Sequence, residues 1–182
     1  MAAFFYPGGQ PGNVHAEGFS WLHNYWCHLL NEQAINGEWN KGRPYAIAGM
    51  LILCISLSGF WFFYPVKSTV NRAVQWMIRC CGPLAMLSAL FIGSFDHDAV
   101  TNIASGFGLI AVCGTLYILY KHRQQFLFRL GILNLVLVGL NNLLYYTPAL
   151  LWLLPVVQKI SFLSVLLWIW LISFRSRPVN RI

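Results

Sequence analysis

The sequence predicts an all-α, polytopic transmembrane helix bundle of five spans, preceded by an extracytoplasmic N-terminal segment. Only 9% of the 182 residues are charged, whereas about 25% are charged in a typical soluble domain. Apolar residues make up 58% of the chain and aromatic residues 16%. Several stretches approach the roughly 20 apolar residues that a helix needs to cross a bilayer. This composition excludes a soluble globule, a disordered chain and a disulfide scaffold.

The transmembrane bundle is expected to occupy residues 45–182. Its predicted spans are 45–64, 73–92, 99–120, 126–146 and 158–174. The last apolar stretch, 149–174, is too long for one straight helix. Pro155, Gln158 and Lys159 are expected to divide it into an interfacial or re-entrant piece, 149–157, and the fifth span.

Glycines indicate where the spans approach each other, because small residues let helix backbones come close in a membrane. Those on the third and fourth predicted spans are Gly106, Gly108, Gly114, Gly131 and Gly139. We therefore expect these positions to allow close helix approach.

The charges predict the orientation, because short basic loops stay in the cytoplasm. Five spans put nine basic residues on one side: Lys67, Arg72, Arg79, Lys121, Arg123, Arg129, Arg175, Arg177 and Arg181. The other side has Lys41, Arg43 and Lys159, together with all five acids: Glu17, Glu32, Glu38, Asp96 and Asp98. The N-terminus is thus expected outside and the C-terminus in the cytoplasm. The net charge of +7 then indicates contact with membrane lipids and not with nucleic acid.

Residues 1–44 are expected to form the outer N-terminal segment. The sequence YPGGQPGN is typical of turns, because Pro fixes φ and Gly supplies positive φ. Apolar residues at helical spacing predict a short interfacial helix over 17–31. Asn36-Gly37 is expected to form a further turn.

Imidazole and carboxylate side chains gather on the predicted outer side, and such groups bind zinc or another divalent ion. The candidate metal ligands are His15, His23, His28, Asp96, His97 and Asp98. His23 and His28 are five residues apart, so they would not share one helix face. A metal site would have to form between this segment and the 96–98 loop. The alternative is an ordinary polar or hydrogen-bonded cluster.

Two polar groups near the predicted outer ends of the spans suggest further chemistry. His97 and Asp98 are candidates for a general acid–base pair, although an acid at a helix N-terminus also serves as a cap or a partner for the dipole. Asn102, Asn141, Asn142 and Tyr145 are candidates for lining a pocket with Asp98. The alternative is hydrogen bonding between helices. Lys159 is expected to snorkel to the outer headgroups.

Short motifs in the chain resemble an uncharacterised group of small polytopic membrane proteins, the DRAM/Sfk-like or domain-of-unknown-function six-helix families. The motifs are Tyr6-Pro7-Gly8-Gly9, Asn24-Tyr25-Trp26-Cys27-His28-Leu29, Asn36-Gly37 and His97-Asp98. The resemblance implies a membrane helix before the first motif and Asp where His28 stands, and the chain departs from both. It implies a fold but no established activity.

Two functions fit these features. The first is a non-enzymatic accessory subunit, or a lipid- or partner-binding protein, that presents a polar outer face to the protein subunits of a larger membrane complex. The second is a membrane-embedded, metal-dependent hydrolase or lipid-modifying enzyme with an outward-facing His/Asp site. A transporter is a weaker third alternative, since transporters often show internal repeats and broken helices.

Overall fold

The computed structural model describes residues 1–92 and 97–175, apart from the side chains of Lys67 and His97. The protein is 73% helical. The five long helices are α1 (Arg43–Phe63), α2 (Arg72–Leu90), α3 (His97–Lys121), α4 (Gln125–Tyr145) and α5 (Leu154–Arg175). Each is long and apolar enough to cross a bilayer. The predicted class, an integral membrane protein of five helical spans, is therefore confirmed.

The first four spans begin and end within three residues of their predicted limits. α2 begins after Asn71, whose side chain accepts a hydrogen bond from the Ala73 N–H. Pro83 lies inside α2 without ending it, as is common in membrane helices. Within the described residues, length and apolarity were thus sufficient to identify these helices.

The prediction for the fifth span was wrong at its beginning. A 3-10 helix, Pro148–Leu153, leads directly into α5, which begins at Leu154 and includes both Gln158 and Lys159. Pro155 does not break the helix, because in the first turn its missing N–H would have had no helical partner. No separate re-entrant piece is present over 149–157.

The predicted helix over 17–31 is also wrong. Strand β1 (Gly8–Gln10) pairs antiparallel with β2 (Asn13–Glu17), so the region expected to begin a helix ends a hairpin. Gly18 follows with φ +65°, a conformation that a helix does not contain. Only Trp26–Leu30 is helical, as a short 3-10 helix. The predicted turn at Asn36-Gly37 is confirmed by a φ of +84° at Gly37.

The chain divides into two compact units. The first contains Met1–Leu51 and Val136–Leu163, and its small core is built on Tyr6, Leu29 and Ala34. The second contains Ile52–Leu135 and the chain from Ser164 onward. Its larger core includes Trp61, Ile78, Ala111, Leu119, Trp168 and Ile172.

Two of the five glycines predicted to permit close packing do so in the second unit. A Cβ at Gly114 would lie 2.5 Å from Ile78 Cγ1, and one at Gly131 would lie 2.5 Å from Leu116 Cδ2. Gly108 has only an ordinary neighbour. Among the described residues, a Cβ at Gly106 or Gly139 would meet nothing within 4 Å, so the prediction does not hold for them.

Candidate functional site

Two buried asparagines organise the N-terminal segment, residues 1–42, in the first unit. Asn40 donates from Nδ2 to the carbonyls of Leu29 and Asn31, and its Oδ1 accepts from the Gly42 N–H. Asn24 donates from Nδ2 to Gly9 O at 2.9 Å and accepts from the Ser20 N–H. Both side chains are fully buried. Their amides satisfy backbone groups that the irregular fold leaves unpaired.

Lys159 ties this segment to α5 within the same unit. Its Nζ donates to the backbone oxygen of Asn24 at 2.6 Å and to that of Pro155 at 2.9 Å. The Phe19 ring centroid lies 5.9 Å from Nζ. Lys159 is only 8% exposed, so the expectation that it snorkels to the headgroups was wrong. The reason is that the N-terminal segment supplies acceptors close to its position.

His28 is held by a hydrogen bond that fixes its tautomer. Nδ1 accepts from the Tyr25 backbone N–H at 3.2 Å and lies 3.4 Å from Asn24 Nδ2. Burial and, secondly, the positive charge of Lys159 lower the pKa of the imidazole. His28 is therefore neutral at neutral pH, with its proton on Nε2.

Cys27 is half-buried beside His28. Burial raises the pKa of its thiol, and this outweighs the opposing effects of nearby backbone N–H groups and Lys159. A thiol that stays protonated is a weak nucleophile. Because His28 Nδ1 is already an acceptor for Tyr25, it is not placed to take a proton from Cys27 either. The pair has the arrangement of a structural contact and not that of an activated nucleophile.

The other candidate metal ligands of the N-terminal segment, His15 and His23, are exposed. The His15 side chain is exposed on β2, and His23 Nδ1 lies 3.0 Å from Ser20 Oγ. Among the described residues no three His, Cys, Asp or Glu side chains come close enough to hold a metal ion. Asp96 and the His97 side chain lie outside the described residues, so a site that includes them stays a prediction.

Asp98 lies in the first turn of α3 and is exposed. There its charge is favourable to the helix dipole. Asn102, one turn further along, is also exposed. Its part in a pocket, and the acid–base role of His97 and Asp98, remain predictions.

The remaining pocket candidates belong to the first unit. Asn141 Nδ2 donates to Ser161 Oγ of α5 at 2.6 Å, which is a hydrogen bond between helices. Asn142 is exposed and donates to Val138 O of its own helix. The exposed ring of Tyr145 packs edge-on against Tyr146 at 5.1 Å. Asn141 therefore forms a hydrogen bond between helices, which was the alternative to lining a pocket.

Exposed apolar side chains on the N-terminal segment were missed by the sequence analysis. Trp21 is 56% exposed, Leu22 62% and Trp39 62%. Trp21 packs edge-on between Phe19 and Trp26 at 5.3 and 5.9 Å, which fixes its ring. The available signal was two tryptophans within a polar, turn-rich stretch. It was misread because the stripe over 17–31 was assigned to a helix.

Comparison with protein-family models, with characterised proteins and with solved structures finds no match for this chain. The resemblance drawn from short motifs therefore has no support beyond those motifs. The function must be argued from the geometry of the N-terminal segment and of the helices.

Proposed function

We propose that this chain is a non-enzymatic accessory membrane protein that binds a protein subunit of a larger membrane complex through its N-terminal segment. The observation that carries the proposal is the exposure of Trp21, Leu22 and Trp39 on an ordered segment outside the helical spans. Contiguous exposed apolar patches are typical of interaction sites, and Trp21 and Leu22 are neighbours in the chain. Tryptophans are among the residues that most often dominate binding energy.

The polar groups of the same segment, together with Lys159 of α5, support binding over catalysis. These polar side chains form their hydrogen bonds with backbone atoms and with one another. They are Asn24, Asn40, His28 and Lys159. A nucleophile needs an adjacent base or a lowered pKa, and Cys27 has neither. What the segment offers is a fixed framework that holds aromatic side chains outward.

We also propose that the N-terminal segment lies outside the cytoplasm and the C-terminus inside it. The support is the distribution of charge. Glu17, Glu32 and Glu38 belong to the N-terminal segment. The ends of α2, α3, α4 and α5 that would face the cytoplasm have basic residues and no acids: Arg72, Arg79, Lys121, Arg129 and Arg175. The partner would then be met on the extracytoplasmic side.

Native gels of membranes dissolved in a mild detergent test the binding proposal. The wild-type chain should migrate in a complex larger than its own 20.7 kDa plus detergent. Trp21→Ala combined with Trp39→Ala should release the free chain. Trp152→Ala is the matched control, because this tryptophan is 69% exposed but lies in the 3-10 helix that leads into α5. It should leave the complex intact.

Two results would contradict the proposal. The first is a wild-type chain that runs free in every mild detergent. The second is a complex that Trp152→Ala disrupts as strongly as the double variant, because the effect would then follow from losing any exposed tryptophan. Circular dichroism should show the wild-type helix content both in the double variant and in Trp152→Ala.

A further inference from the structure

Two cations and a tryptophan share one face of α2 in the second unit. Arg72, Trp76 and Arg79 are spaced four and three residues apart, which places them on one side of the helix. Arg72 is exposed, and Trp76 is 55% exposed. This face is therefore exposed and has positive charge.

The guanidinium of Arg79 sits against two aromatic rings. Its Cζ lies 4.2 Å from the centroid of Phe62 on α1 and 4.4 Å from that of Trp76. Within the described part of the chain Arg79 forms no ion pair. Within that part of the chain the Nε of Arg79 is buried and has no hydrogen-bond partner. The rings thus position a cation that no acid of the described residues neutralises.

The position of Arg79 along α2 indicates where a ligand of this face would bind. Arg79 follows Arg72 by seven residues, or about 10 Å of helix. Helical side chains tilt toward the N-terminus of their helix. Arg79 therefore reaches back toward the end of α2 where Arg72 and Trp76 lie, and tryptophan is enriched at the headgroup level of bilayers.

We infer that Arg79, with Arg72 and Trp76, binds the phosphate of an anionic phospholipid headgroup. A guanidinium presents a planar fork of donors that matches two phosphate oxygens. The Phe62 and Trp76 rings hold that fork by cation–π contact. Arg72 adds the second positive charge, which favours a headgroup with net negative charge over a zwitterionic one.

Arg129 on α4 provides a matched comparison. Like Arg79, it lies in the part of its span that is expected to face the cytoplasm. It is also exposed. Among the described residues no aromatic ring forms a cation–π contact with Arg129, unlike with Arg79 and Arg175. If general attraction between basic residues and anionic lipids were the whole effect, Arg79 and Arg129 would contribute equally.

Native mass spectrometry of the purified full chain in detergent tests the inference. Phosphatidylglycerol and phosphatidylcholine with identical acyl chains are titrated against wild type, Arg79→Gln and Arg129→Gln. Wild type should retain phosphatidylglycerol more tightly than phosphatidylcholine. Arg79→Gln should weaken phosphatidylglycerol binding about tenfold, the size expected for losing a charged hydrogen bond. Arg129→Gln should stay within about twofold of wild type.

Further variants keep the test decisive. Trp76→Leu retains both charges but removes one ring, so it should weaken phosphatidylglycerol binding even if Arg79→Gln fails to fold. Equal losses in Arg79→Gln and Arg129→Gln, or equal retention of the two lipids by wild type, would overturn the inference. Displacement of the bound lipid by millimolar glycerol phosphate would overturn the assignment to a lipid, because a free headgroup would then suffice.

Discussion

Lys159 shows how a single side chain is redirected by tertiary structure. From its place near the beginning of a span, the expected behaviour was to reach the headgroups. Instead its Nζ donates to Asn24 O and Pro155 O. Only the folded N-terminal segment places Asn24, 135 residues away in sequence, within reach.

Replacing Lys159 with Met should loosen the N-terminal segment while keeping the apolar stem. Two carbonyls lose a charged donor, and such bonds contribute roughly 1.5–3 kcal/mol each. In a chain whose other cysteines are changed to serine, Cys27 should react with a maleimide at least about a hundredfold faster, because labelling follows local opening and about 1.4 kcal/mol corresponds to a factor of ten. Lys41→Met, at an exposed lysine of the same unit, should not change the rate. Equal rates for Lys159→Met and wild type would contradict the anchoring role.

His28 predicts a dependence of stability on pH. Its folded pKa is lower than the usual value of about 6.5. As pH falls from about 6.5 toward that lower value, the unfolded segment takes up a proton that the folded one does not, so the segment loses stability. Above about pH 6.5 the imidazole is neutral in both the folded and the unfolded segment, so the stability of the segment is fully present. Protonation of Nδ1 would also cost the hydrogen bond from Tyr25.

Thermal unfolding at pH 7.5 and 5.5 measures this effect. The unfolding temperature of His28→Asn should fall less on acidification than that of wild type, since its amide cannot take up the proton. His15→Asn should behave like wild type, because the His15 side chain is exposed. An identical fall in wild type and His28→Asn would refute the prediction.

At the scale of the elements, helix contacts depend on which face a glycine occupies. Gly114 and Gly131 lie against side chains, whereas Gly106 and Gly139 face open space. Gly82 was not predicted, yet a Cβ there would overlap the Cβ and Cγ of the buried Trp61. Apolar periodicity does not mark the packed face in a membrane, because lipid and protein interior are both apolar.

Gly82→Ala should destabilise the helical part of the chain. The added methyl meets the fixed end of Trp61, and overpacking of this kind costs about 1–3 kcal/mol. Gly139→Ala makes no contact and should leave stability unchanged or raise it slightly, because alanine favours helix by about 1 kcal/mol over glycine. Thermal unfolding of the two purified variants in one detergent measures the difference. A smaller loss for Gly82→Ala than for Gly139→Ala would show that Trp61 moves aside.

At the scale of the whole molecule, the charge distribution predicts the orientation, and labelling tests it. In a cysteine-free chain, His15→Cys should react with a membrane-impermeant maleimide in intact cells. Lys121→Cys, at the end of α3, should react only after permeabilisation. Exposed positions are used because burial raises the pKa of the native Cys27 thiol and slows its reaction. The reverse labelling pattern would invert the topology.

The sequence by itself determined that this is a membrane protein of five helical spans. Length and apolarity are sufficient for that, because every backbone polar group in a bilayer must be satisfied within a helix or a closed barrel. It also located the turn at Asn36-Gly37, which depends on local backbone chemistry.

Tertiary structure alone decided the N-terminal segment and the candidate site. Its hairpin and 3-10 helix depend on long-range hydrogen bonds from Asn24, Asn40 and Lys159, which no local period encodes. The same folded segment holds His28 by hydrogen bonds and leaves Trp21 exposed. The physical reason is that membrane helices follow from composition, whereas an irregular segment is fixed by where its backbone groups find partners.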